Sequence, residues 1–341
     1  MKFTILVPHY KQGQATAHAV HKLMQHRGKH DIKIIVIDNS NDDSINHITD
    51  TDLKLDCTVL RYPKEKLQSH GIAFDYALKK GLVDTDFFIT IESDSFPTRD
   101  TWLDDYENLA KNGVKCVGSL LNLSGGQYIH PCGAMYQTNV WNEAYWTCSL
   151  SPFYYFPNMV NKEGFACHTM VRKSKFENFL QEFGHHLRYQ PAPGYDGITI
   201  EQMLEKAADY SPTKGPFHNG MGALQESIRT YGQRTIYTGM EDMKDPVDDV
   251  ILRIGYEPGQ WFCYWMLKNQ HQLAKFKTDV KWLPGRENQN QEYTITETGF
   301  VHLWGVSSFH KSEDPNMKDV IEFKARQMAD LYNSLPANCK L

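Results

Sequence analysis

Two carboxylates one residue apart, Glu92 and Asp94, follow the apolar run Phe87-Phe88-Ile89-Thr90-Ile91 and precede Ser95-Phe96-Pro97. The run has the length and composition of a strand buried on both faces. Side chains at i and i+2 of an extended backbone share a side, so the two acids point the same way. Two acids at the mouth of a buried strand are costly unless positive charge sits between them. A hard divalent cation with a phosphate-bearing ligand would supply it, because such ions take oxygen ligands and bridge phosphates. The competing reading is a solvated acidic turn. Pro97 and Asp100 turn the chain away, and a helix is expected to start near Thr101–Trp102.

The elements around this stretch alternate. Residues 3–7 read as a buried strand stopped by Pro8, and His18–His26 as the end of a crossover helix. Ile32–Ile37 is a second buried strand, closed by Asp38-Asn39-Ser40. A third, Cys57–Arg61, leads to Ser69-His70-Gly71 and a helix over Ile72–Lys80. Strands alternating with helices in short units predict an α/β fold, with a right-handed, mostly parallel sheet and helices on both faces. Ligands of such sheets bind beyond the carboxyl ends of the strands. Three of those ends carry polar clusters here: Pro8-His9-Tyr10, Asp38-Asn39-Ser40 and Glu92-Ser93-Asp94. No glycine-rich loop follows the first strand, which argues against a dinucleotide fingerprint or a P-loop.

Composition limits the partners. The 341 residues are 41% apolar and 23% charged, with a net charge of −5, which disfavours a nucleic-acid-binding surface. No apolar run approaches the roughly 20 residues of a membrane span, and the apolar N-terminal run is too short for a signal peptide. The seven cysteines include no C-x-x-C pair. They fit free thiols in a reducing, cytoplasmic setting (a host's cytoplasm if the source is viral) better than a disulfide frame or a zinc site.

With these pieces in order, the first 140 residues resemble the GT-A glycosyltransferases, and most closely the inverting family-2 group. The matching segments are Ile5-Leu6-Val7-Pro8-His9-Tyr10, Ile34-Ile35-Val36-Ile37-Asp38-Asn39-Ser40, Ser69-His70-Gly71-Ile72-Ala73-Phe74, Glu92-Ser93-Asp94 and Gly133-Ala134-Met135-Tyr136. Glu92 stands where the family's DxD motif has its first aspartate. The resemblance implies a nucleotide-sugar donor, UDP-linked, with Mn²⁺ or Mg²⁺. Asp38 would accept a hydrogen bond from the uracil, with Asn39 beside it; its alternative role is capping a turn. Pro8 and Tyr10 would frame base and ribose. Ser69 and His70 precede a helix N-terminus suited to anionic oxygens. Asp94 would bind the metal, with Ser93 beside it and Glu92 reaching the ion directly or through water.

The second half is expected to bind the acceptor. Aromatic residues crowd from Trp141 to Phe156 around Pro152, next to Pro157, as sugar-stacking candidates or as loop packing. A strand is expected over Gly164–Arg172 and a helix over Lys175–Phe183. Inverting transfer needs a carboxylate within hydrogen-bond reach of the acceptor hydroxyl. Asp196, before the expected helix Thr199–Ala208, and Glu257, before Pro258, are the candidates; Glu241-Asp242 matches the family in letters alone. His302, in Gly299–Ser308, is similar in context to the C-terminal metal-binding histidine of several GT-A enzymes. Pro284–Glu297 reads as a polar lid or a passive loop, and Lys318–Leu335 as a closing helix. Residues 1–140 are expected to form the donor half, 141–309 the acceptor half and 310–341 a helical extension. The acceptor would be a glycan or another hydroxylated biopolymer. The alternatives are a phage-type transferase acting on hydroxymethylated DNA bases, a sugar nucleotidyltransferase, and a non-catalytic nucleotide-sugar-binding protein.

Overall fold

The structure is a computed structural model that describes residues 1–40, 42–50, 54–62, 70–123, 126–149, 154–156, 167–172, 250–256, 266, 269–282, 292–303 and 317–335. In chain order these carry β1 (Lys2–His9), α1 (Gly13–Gln25), β2 (Asp31–Asp38), a 3₁₀ turn (Asp43–Ile45), α2 (Asn46–Thr49), β3 (Thr58–Arg61), α3 (His70–Lys79), β4 (Phe87–Thr90), β5 (Ser95–Pro97), α4 (Trp102–Lys111), β6 (Cys116–Leu123), β7 (Gly126–Ile129) and β8 (Ala134–Gln137). There follow α5 (Thr138–Ser149), β9 (Tyr154–Phe156), β10 (Cys167–Arg172), β11 (Val250–Tyr256), β12 (Leu273–Phe276), β13 (Thr278–Trp282), β14 (Glu292–Thr296), β15 (Phe300–Leu303) and α6 (Met317–Ser334).

The chain forms two compact units. The first contains residues 1–120, 130–140 and 271–341, and the second contains residues 121–129 and 141–270. Residues 271–341, which hold the closing helix, return to the N-terminal unit.

In the first unit the main sheet runs β12-β6-β8-β4-β1-β2-β3. The pairs β4–β1, β1–β2, β2–β3 and β12–β6 are parallel, while β8 is antiparallel to both β4 and β6. The apolar runs explain this centre. In β1, Phe3, Ile5 and Val7 alternate with Thr4 and Leu6, and all five are fully buried, which requires cover on both faces. One face joins Ile34, Val36, Phe87 and Ile89 in a core sealed by Val20 and Leu23 of α1 and by Trp102, Leu103 and Tyr106 of α4. α3 packs against β1 and β2.

A second sheet runs β13-β14-β15-β5. Its core joins Phe96, Tyr293, Ile295, Val301 and Leu303 to Ala15 and Ala19 of α1 and to Met328, Leu331 and Leu335. Helix α1 thus serves two cores from two faces, one lined by alanines so that α6 can approach. Within the segment expected as a lid or loop, Glu292–Thr296 is instead an inner strand paired on both sides. Its Tyr293 and Ile295 point inward at the two-residue period, under a sequence whose other positions are polar. The second unit's described sheet is antiparallel, in the order β11-β10-β9.

Candidate active site

Because β1 and β2 pair in parallel with His9 opposite Asp38, and β4 joins β1 with Thr90 opposite Leu6, the three polar strand ends lie along one edge. At the end of β4 the Ile91 amide still donates to the Leu6 carbonyl at 3.0 Å. The chain then folds on itself: the Ser95 amide and hydroxyl both donate to the Glu92 carbonyl, at 3.2 and 2.6 Å. That turn hands the backbone to β5, which pairs antiparallel with β15 so that Ser95 stands opposite His302. The Leu303 amide donates to the Asp94 carbonyl at 3.1 Å. The acids and the histidine therefore meet because one strand of each sheet ends where the other begins.

His302 Nε2 lies 3.4 Å from Glu92 Oε2 and 3.6 Å from Asp94 Oδ1. All three residues are buried, and their ligand atoms lie within 4.8 Å of one another. Burial disfavours a charged imidazole, yet neighbouring Cys132 and Glu92 outweigh it and raise the His302 pKa well above its ordinary value. Two carboxylates and an imidazole at this spacing fit a divalent cation. Burying two acids together calls for a compensating positive charge, and oxygen plus imidazole donors suit Mn²⁺.

Two residues that the sequence reading did not single out complete the cluster. His130 Nε2 is 3.9 Å from Glu92 Oε1, and its ring stacks on His302 with centroids 5.3 Å apart. Cys132 is buried against His302; burial raises the pKa of its thiol, which keeps it protonated. Both sit in the turn before β8. Its Gly133 has φ +74, and a Cβ there would meet the Phe300 ring at 2.7 Å. The available signal was a His-x-Cys-Gly turn ahead of a strand already matched to the family. Among the described residues another acid–histidine group, His30, Asp104 and Glu107, is engaged by Lys29, Lys111 and the N-terminal ammonium, as an ion-pair cluster between α4 and the chain start.

The remaining expected residues divide as follows. Asp38 is fully buried, and its Oδ1 accepts from the Ser40 amide and hydroxyl at 3.1 and 3.0 Å, which is the turn-capping role. Its Oδ2 faces Arg61 Nε at 3.8 Å. Asn39 is buried beside it and donates its amide to the His9 carbonyl at 2.9 Å. Pro8 lies in β1 opposite Ile37. Tyr10 is half-buried under the Lys11 ammonium, 5.3 Å from its ring centroid. The Ser93 hydroxyl donates to Gln12 Oε1 at 3.2 Å. His9 itself is structural: its ring nitrogens bond the Thr16 and Ser44 hydroxyls at 3.0 and 2.9 Å, and burial lowers its pKa to about 4. His70 opens α3. Ser69, Asp196, Glu241, Asp242 and Glu257 lie outside the described residues.

Residues 4–127 match the model of glycosyl transferase family 2. Within that segment the parallel strands β1, β2 and β4 bring their three polar ends to one rim. Solved structures similar to the chain include S. aureus TarS 1-349 in complex with UDP-GlcNAc (16% identity, 42% of this chain and 47% of that one, TM-score 0.34). Another is the mannosyltransferase PcManGT from Pyrobaculum calidifontis in complex with GDP-Man and Mn²⁺ (13%, 41%, 46%, TM-score 0.34). The chain spans less than half the length of each. No curated protein matches it. Among the described residues, no helix is long and apolar enough to cross a membrane.

Proposed function

We propose that this chain transfers a sugar from a nucleotide diphosphate donor, UDP-linked, to a hydroxyl of a glycan or other hydroxylated biopolymer, with inversion. The observation that carries the reading is the convergence of Glu92, Asp94 and His302, within 4.8 Å of one another, at the rim of a family-2 segment. Asp94 and His302 would hold Mn²⁺ or Mg²⁺, and Glu92 would complete the set. The bound cation would neutralise charge that develops on the departing diphosphate.

The other groups have donor and acceptor roles. Asp38, whose Oδ1 is fixed by its own turn, offers Oδ2 toward the base, with Asn39, Pro8 and Tyr10 around it. Ser69, His70 and the α3 N-terminus would face the phosphates. The acceptor oxygen attacks the anomeric carbon, and the bond from that carbon to the diphosphate oxygen breaks with its electron pair leaving on the diphosphate. The acceptor proton passes to Asp196 or Glu257.

The test is UDP release from a panel of UDP-sugars by the full chain with Mn²⁺, comparing Asp94→Asn with the parent. Losing the charged ligand removes several kcal/mol of charge stabilisation, so turnover should fall at least about 100-fold. Unchanged turnover in the variant, or no release by the parent with any donor, would overturn the reading.

A further inference from the structure

Cys132 stands beside the acids rather than among the scattered thiols. The ligand atoms of His130, Cys132 and His302 lie within 4.8 Å of one another, and His302 belongs equally to the triple with Glu92 and Asp94. His130 is already committed: its Nδ1 accepts the Cys132 amide at 3.2 Å, which leaves the ring proton on Nε2, facing Glu92. The Cys132 thiol is hydrogen-bonded to His302, and its backbone is held firmly. The Gly133 amide donates to the Thr90 carbonyl at 2.8 Å and the Tyr106 hydroxyl to the Gly133 carbonyl at 2.7 Å. The Thr90 hydroxyl also donates to the Pro131 carbonyl. The turn that carries Cys132 is thereby bolted to the strand whose end carries the acids. A site so supported keeps its ligand geometry without rearrangement.

We propose that Cys132 is a further ligand of the cation held by Glu92, Asp94 and His302, so that the site selects a borderline cation of the zinc or cobalt class over magnesium. Thiolate and imidazole donors favour such ions, whereas an all-oxygen set suits magnesium. On binding, the Cys132 S–H proton goes to solvent and a metal–sulfur bond replaces a metal–water bond; no electron is transferred. His130, donating from Nε2 toward Glu92, is then a positioning residue for that carboxylate. This inference rests on the cation site of the proposed transferase and adds its donor chemistry.

The experiment is a cobalt titration of the full, chelator-treated chain, read as the near-ultraviolet thiolate-to-cobalt charge-transfer band. One equivalent should produce the band in the parent and in His130→Gln, and none in Cys132→Ser. Zinc affinity should fall at least about 10- to 100-fold in that serine variant. X-ray absorption of the parent loaded with one equivalent of zinc needs no variant and should show one sulfur at about 2.3 Å. A band that survives in Cys132→Ser, or a zinc shell without sulfur, refutes the inference. If manganese-dependent UDP release persists in that case, the transferase reading stands without it.

Discussion

Replacing Gly133 by alanine tests how tightly the turn beside the acids is fitted. The residue sits at φ +74, where an L side chain costs about 1–2 kcal/mol. Its new methyl would lie 2.7 Å from two ring carbons of Phe300, a buried side chain whose ring also lies tilted against Trp102 with centroids 5.6 Å apart. That aromatic pair cannot rotate away cheaply, so overpacking adds about 1–3 kcal/mol. The total is about 2–5 kcal/mol of lost stability. Gly81 supplies the control. It has φ +68 and nothing within 4 Å of an added Cβ, so Gly81→Ala should show the backbone cost alone. Urea denaturation of the two variants and the parent, followed by tryptophan fluorescence, measures the difference. The expected gap between the variants is about 1–3 kcal/mol. Equal midpoints would mean that Phe300 yields freely, and the account of a rigid turn under Cys132 would be wrong.

Other outcomes follow from the same contacts. Tyr106→Phe leaves the buried Gly133 carbonyl without its 2.7 Å donor and should cost about 1–3 kcal/mol in denaturant unfolding. His9 is neutral when folded, with a pKa lowered to about 4 from 6.5. Its contribution is therefore complete above pH 6.5 and is lost as pH falls toward 4, by up to about 3 kcal/mol. Urea midpoints between pH 7.5 and 4.5 should show this loss, and His9→Gln should flatten that part of the curve. Asp94→Asn should abolish stabilisation of the fold by millimolar Mn²⁺, read as a melting shift present in the parent alone.

The main sheet and its chemical rim were legible because buried parallel strands write themselves as short apolar runs, and their polar ends mark the edge where ligands bind. Phe87–Thr90 and Ile34–Ile37 are of this kind. The partner of that rim was harder to see. β5 is three residues long and carries no period of its own, so the chain after Asp94 read as a simple turn. β14 hides its inward Tyr293 and Ile295 between Glu292, Thr294 and Thr296, and its neighbours' glycine and asparagine content suggested a loop. His302 came into view through the family resemblance, but its distance from the acids depends on a pairing that no local pattern announces. Cys132 was weighed as one of seven scattered thiols, and only the turn geometry sets it beside His302.

The pairing of β5 with β15 also has a temporal consequence. Thr98 and Gly299, bonded through both amide and hydroxyl, are 201 positions apart in the chain. During synthesis the carboxylates emerge long before the imidazole beside them, which arrives only with β15. Truncations just short of residue 300 should therefore expose the acids and also uncover Ala15, Ala19 and Phe96, which Val301, Leu303, Met328 and Leu331 help to bury.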